Sequence, residues 1–153
     1  MTMKRKSPMK YADALWSIII RASGKCALAG LDHIHCSGAL QGMHIIGRTN
    51  YDLRHELANG LPGCQAHHTY YTYRQKEWTD FVLDNFPAAW NFLTPLPKTM
   101  KRDYRAIAEG LEGILVGLVD AGQLKHKYKG LDKQIINKLT DRGRHEIDRA
   151  FFT

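Results

Sequence analysis

Hydrophobic positions recur at helical spacing near both ends of the chain and lose that rhythm between them. In Tyr11–Gly24, Leu15, Ile18 and Ile19 fall at i, i+3 and i+4, which predicts a short amphipathic helix stopped by Gly24. The ten residues before it, MTMKRKSPMK, read as a frayed basic tail. From Lys25 to Gly63 glycines and prolines break any helical pattern. Leu40–Ile46 and Leu57–Leu61 are the strand candidates there, joined by a polar loop holding Arg48, Asn50, Asp52 and Arg54. A helix is predicted from Gln65 to Phe86, ending before Pro87 because the residue preceding proline is pushed out of the α region.

PAAWNFLTPLP then reads as a turn-rich connection. Thr99–Gly122 is predicted as a helix with Ile107, Leu111, Ile114, Leu115, Leu118 and Val119 on one side. Gly110, Gly113 and Gly117 weaken that helix unless their spacing serves close helix packing. A last helix, Asp132–Phe152, has Ile135, Ile136, Leu139 and Ile147 as core candidates. The expected division is 1–24 for the tail and first helix, 25–86 for a strand–loop–strand–helix core, and 87–153 for a helical region.

Composition adds a partner class. The 153 residues carry 22 Lys and Arg against 15 Asp and Glu, a formal net charge of +7. That balance favours a polyanion, nucleic acid first and an acidic membrane surface second. No apolar run approaches the roughly 18 residues needed to span a bilayer, and no secretory signal is recognisable, so a cytoplasmic protein is expected.

Cysteine usage narrows the chemistry. Three cysteines, Cys26, Cys36 and Cys64, cannot close a disulfide framework among themselves. Cys36 and Cys64 lie among the six histidines from His33 to His68, with Cys26 seven positions before the first, and in a reducing compartment such clustering points to metal. Cys64-Gln65-Ala66-His67 has the C-x2-H spacing of half a tetrahedral zinc site. Cys26 begins what would be a C-x2-C knuckle if Ala29 were cysteine. Cys36 is the best substitute, with His33 and His35 as competitors. Four protein ligands leave no open position on the ion, so that zinc is structural and any chemistry lies elsewhere.

The remaining signal is Leu40-Gln41-Gly42-Met43-His44-Ile45 with Arg48, followed by Asn59 and, nine positions on, His68. Over about Lys25–Thr72 the chain resembles the HNH endonucleases of the ββα-metal (His-Me finger) superfamily, the phage-type proteins in particular. The resemblance implies an α+β protein, a zinc-stabilised ββα-metal core with flanking helices, that hydrolyses phosphodiester bonds in DNA. It implies His44 as general base, with Asn59 and His68 holding Mg2+ or another divalent ion. It also implies Arg48 and Arg54 as phosphate contacts, and Cys26, Cys36, Cys64 and His67 as zinc ligands. Orienting the base is an alternative role for Asn59.

The residue types suit this work, since hydrolysis needs a base for water, charge for the phosphate and an anchor. Two positions depart from the family pattern. Met43 stands where many members have an Asp or His metal ligand, and Thr72 where some have a further His. Met43 keeps open a catalytically inactive, zinc-braced nucleic-acid-binding module. A third reading is an interaction protein whose C-terminal helices dock on a partner or form a homodimer. No organic cofactor is expected. His55, His126 and His145 read as surface residues, and Tyr70, Tyr71, Tyr73, Trp78 and Phe81 as core more than base-stacking groups.

Overall fold

The computed structural model describes residues 7–96 and 102–120. It is a mixed α+β fold with five α-helices and one antiparallel two-stranded sheet among the described residues. The predicted helix Asp132–Phe152, with His126 and His145, lies outside them.

Two compact units divide the chain, residues 7–23 with 103–120 forming one and residues 24–96 with Arg102 the other. In the first, α1 (Pro8–Ile20) packs on α5 (Tyr104–Asp120). The helix α1 begins three residues earlier than periodicity implies. Ser7 caps it by accepting from the Lys10 amide at 3.3 Å, and Pro8 sits at the first position, where no amide hydrogen bond is lost. Leu15 and Ile18 are buried as expected, joined by Tyr11, Ala12 and Trp16. On α5 the buried positions are Ala108, Leu111, Glu112 and Leu115, whereas Ile114 is largely exposed. Gly110, Gly113 and Gly117 do not serve close packing, since a methyl group at any of them would meet open space.

The second unit carries the Cys/His cluster. Strand β1 (Leu40–His44) pairs antiparallel with β2 (Gly60–Cys64), Leu40 opposite Cys64 and His44 opposite Gly60. The second strand starts three residues later than predicted, because Leu57–Asn59 form a 3-10 turn that delivers Asn59 to the end of β1. The helix expected over Gln65–Phe86 is two, α2 (Gln65–Thr72) and α3 (Gln75–Asn85). No glycine or proline marks the break. The Gln75 amide instead donates to the carbonyls of Tyr71 and Thr72, satisfying groups that the interrupted helix leaves bare. The segment after Phe86 is also helical rather than turn-rich. Pro87 opens α4 (Pro87–Leu93) at its first position, and Leu93 plugs the core. Residues 87–96 thus belong to the second unit.

That core joins Leu28, Met43, Ile45 and Leu53 to Tyr71, Trp78, Phe81, Val82 and Leu93. Trp78 and Phe81 stack at 5.8 Å between centroids, and the Trp78 indole donates to the Ile45 carbonyl at 3.0 Å, fixing the end of β1. Gly63 is required by close approach, since a Cβ there would stand 2.1 Å from the Met43 sulfur. No helix among the described residues is long and apolar enough to cross a membrane.

In the helical pair the Tyr11 hydroxyl donates to the buried Glu112 carboxylate. Burial raises the Glu112 pKa and outweighs this hydrogen bond. A carboxyl raised in the folded state contributes stability below its unfolded pKa and loses it as pH rises through the folded value. Glu112→Gln keeps an acceptor for Tyr11 without the charge. Its stability relative to wild type should therefore increase from pH 4 to pH 7, read by hydrogen exchange of α1 and α5 amides at both pH values.

Candidate metal centre and adjoining cleft

Four side chains from three segments converge at the start of α2. Cys26 and Cys36 come from the irregular segment before β1, Cys64 ends β2, and His67 lies in the first turn of α2. Their ligand atoms all lie within 4.8 Å of one another. The Sγ atoms of Cys64, Cys26 and Cys36 are 3.1, 3.7 and 3.8 Å from His67 Nδ1. A tetrahedral ion with bonds of about 2.3 Å to sulfur and 2.0–2.1 Å to nitrogen gives S···N edges of roughly 3.6 Å. The group could hold a metal ion such as zinc. Cys36 takes the fourth place, while His33 instead meets the Tyr70 ring edge-on at 5.5 Å.

Backbone contacts assemble the knuckle. The Ala27 amide donates to Pro62 O at 2.7 Å, and the Cys64 amide to Cys26 Sγ at 3.4 Å. Gln65 and Ala66, the first residues of α2, donate to Ala39 and Ser37. Gly38 permits that closeness with φ +78° and its missing side chain, since a Cβ would lie 2.5 Å from Gln65 Oε1.

Asp32 organises the second nitrogen of His67. Its Oδ1 lies 2.9 Å from His67 Nε2, and its Oδ2 accepts from the Tyr71 hydroxyl at 2.7 Å. The carboxylate fixes the tautomer that presents Nδ1 to the sulfurs and raises its basicity as a ligand. Burial opposes ionisation of Asp32, but hydrogen bonds from Tyr71, the Ile34 amide and His67 outweigh it and lower its pKa. Burial likewise opposes the Cys64 thiolate, and hydrogen bonds from the His67 backbone and ring bring it down to about 6. Sequence reading overlooked Asp32. The usable signal was Tyr71, one helical turn beyond His67 and hence on its face.

His68 points away from the cysteines, into a cleft of about 220 Å³. Met43, His44 and Ile45 line it with Gly47 and Arg48 on one side, and His68, Tyr71, Thr72, Gln75 and Trp78 on the other. His44 Nε2 lies 2.9 Å from the Arg54 carbonyl. A carbonyl only accepts, so Nε2 carries the proton and Nδ1 is the basic atom. His68 Nδ1 faces Gln41 Oε1 in a close hydrogen bond, which by the same reasoning leaves Nε2 as its basic atom. Burial, then the Arg48 charge, lowers the His68 pKa and keeps the ring neutral.

Two expected site residues, Asn59 and Arg54, are not among those lining the cleft. Asn59 is fully buried, and its carboxamide does not reach the cleft. Its Oδ1 accepts from the Ile46 amide at 2.7 Å, and its Nδ2 donates to Ile46 O at 2.9 Å and Leu53 O at 3.0 Å. These bonds make Asn59 a clip that holds the 47–58 loop on β1. Arg54 serves by its carbonyl, and its guanidinium sits 5.9 Å over the Tyr51 ring. His55 is buried, not on the surface. Met43 is buried as well, filling space above Gly63.

No carboxylate lines the cleft, so its donor set does not fit Mg2+, which seeks oxygen ligands. Searches of family models, curated proteins and solved structures match nothing to this chain.

Chelating the cluster's metal should unfold the knuckle, read as lost amide protection in residues 24–40 and 60–72. Asp32→Ala should weaken zinc binding about 10- to 100-fold, measured by competition with a chromophoric chelator. Asn59→Ala should destabilise this unit by about 3 kcal/mol or more in denaturant titration, since three backbone groups lose partners at ~1–3 kcal/mol each. A residue serving only as metal ligand would leave the metal-free fold unchanged.

Proposed function

We propose that residues 24–102 form a zinc-braced DNA endonuclease of the HNH type. The reading rests on one observation: His44, His68 and Arg48 line a single cleft, with both rings oriented by hydrogen bonds from outside it. The full chain's net charge of +7 suits a polyanionic substrate, although residues 24–102 themselves carry 8 Lys and Arg against 6 Asp and Glu. Zinc on Cys26, Cys36, Cys64 and His67 serves as the brace.

In this mechanism Arg48 holds a non-bridging phosphate oxygen. His44 Nδ1 accepts a proton from water as the water oxygen bonds to phosphorus. The bond from phosphorus to the leaving ester oxygen breaks, and that oxygen takes a proton from solvent. Neutral His68 is the residue that would hold a divalent ion, which supplies positive charge to the phosphate when bound. Asn59 acts through His44, because it clips the loop that carries the Arg54 carbonyl. The alternative, a binding module without catalysis, is favoured by the buried Met43 and the missing carboxylate.

Plasmid nicking tests the choice. Wild type should nick with Mn2+ or Ni2+ and least with Mg2+. His44→Ala should lose ~10²- to 10⁴-fold in rate while binding DNA with wild-type affinity. Wild-type protein that binds DNA but cuts no duplex or single strand with any of these ions establishes the binding module instead.

A further inference from the structure

Two tyrosines flank the cleft in the chain and stand out by exposure. Tyr73 follows Thr72 and precedes Gln75, both cleft residues, and is 82% exposed, more than any other large hydrophobic side chain described. Tyr51 lies three residues beyond Arg48, after the turn closed by the Asn50 amide on Gly47 O, and is 55% exposed. Tyr71, Trp78 and Phe81 of the same unit are buried in the core. Tyr70 carries the Arg74 guanidinium 4.1 Å above its ring and Tyr51 the Arg54 guanidinium at 5.9 Å, so a cation accompanies Tyr51 as well while the ring stays 55% exposed.

Both tyrosines sit on well-held backbone. Tyr73 joins α2 to α3 at the break that Gln75 caps. The loop of Tyr51 is pinned by Asn59 to Leu53 O and by Arg102 to Asp52 at 3.2 Å. A large aromatic face left in water on a fixed backbone is pre-organised for a flat apolar partner. The surrounding charge defines that partner, since Arg48 is beside Tyr51 in the chain and Arg74 and Lys76 are beside Tyr73. A base attached to a phosphate backbone meets both requirements. In a duplex the base faces are already stacked on one another, so the rings gain contact only with unpaired bases.

We propose that Tyr73 and Tyr51 are stacking platforms for unpaired bases on either side of the scissile phosphate, and that the cleft acts on single-stranded or locally unpaired DNA. The inference rests on reading the cleft as a nuclease centre.

Equilibrium binding of full-length protein to a fluorescent single strand, and to the duplex of the same sequence, tests it in buffer with zinc but no further divalent ion. Stacking is worth ~1–3 kcal/mol per base, roughly 5- to 150-fold in affinity. Tyr73→Ala and Tyr51→Ala should each weaken single-strand binding on that scale and leave duplex binding within twofold. Tyr73→Trp should restore it. Retained zinc content and helix signal show that the exposed substitutions leave the fold intact. Equal losses on both substrates, no loss on the single strand, or a wild type that binds neither, overturns the proposal. A wild type that shows the tyrosine-dependent single-strand preference but never cuts removes the nuclease reading and leaves the platforms standing. Cutting without that dependence does the reverse.

Discussion

Four side chains meeting at one point at the start of α2 govern the rest of the second unit. Without them the segment from Gly24 to Ala39 has little to hold it, for it contains no helix or strand and buries only Leu28 outright. The contacts that do hold it lie close to the ligands, with Ala27 on Pro62 and Ser37 and Ala39 on the first amides of α2. Asp32 carries the constraint inward, because the carboxylate that orients His67 also accepts from Tyr71, a member of the aromatic core. Consecutive helical residues point about 100° apart, so fixing His67 on the cysteines turns His68 toward the cleft. The cluster therefore sets the direction of a side chain that is not part of it.

A second device sets His44. Strand β1 ends at this residue, and the next twelve positions hold no regular structure before the 3-10 turn. Asn59 substitutes for the missing ladder by pairing with both polar groups of Ile46 and reaching Leu53. Its own carbonyl accepts from the Ile45 amide, so one residue closes the sheet with backbone and side chain together. The loop held this way brings the Arg54 carbonyl to His44. Orientation of one ring by a metal knuckle and of the other by a carboxamide clip gives the cleft two independent supports.

Much of this was legible in the chain because its information is local. C-x2-H spacing fixes Cys64 and His67 within one helical turn, and the Cys/His clustering narrows their partners. Choosing Cys36 over His33 and His35 needed the loop path, which depends on Gly38 and on amides that spacing does not reveal. The break between α2 and α3 was invisible for a similar reason, since a side-chain amide does what glycine or proline usually does. The α4 helix was signalled by Pro87 yet masked in the sequence by the prolines that follow, although it ends at Leu93, before the first of them. The packing of Asn59 was not legible because a carboxamide suits an ion and a peptide group equally well. Only burial separates the two, and burial is a property of the whole fold.

Met43 illustrates how a departure in sequence becomes a property of the cleft. Met43 is buried near the end of β1, and His44 follows it with its ring on the Arg54 carbonyl. The Met43 thioether occupies the space that the absent Gly63 side chain leaves, so the two residues form one packing unit. A carboxylate at this position would have to be desolvated among Leu28, Ile45 and the aromatic cluster, an expensive exchange without a partner charge. The cleft wall therefore carries Arg48 and the imidazoles of His44 and His68 with no Asp or Glu among its lining residues. The packing of one methionine thus keeps a carboxylate out of the position next to His44.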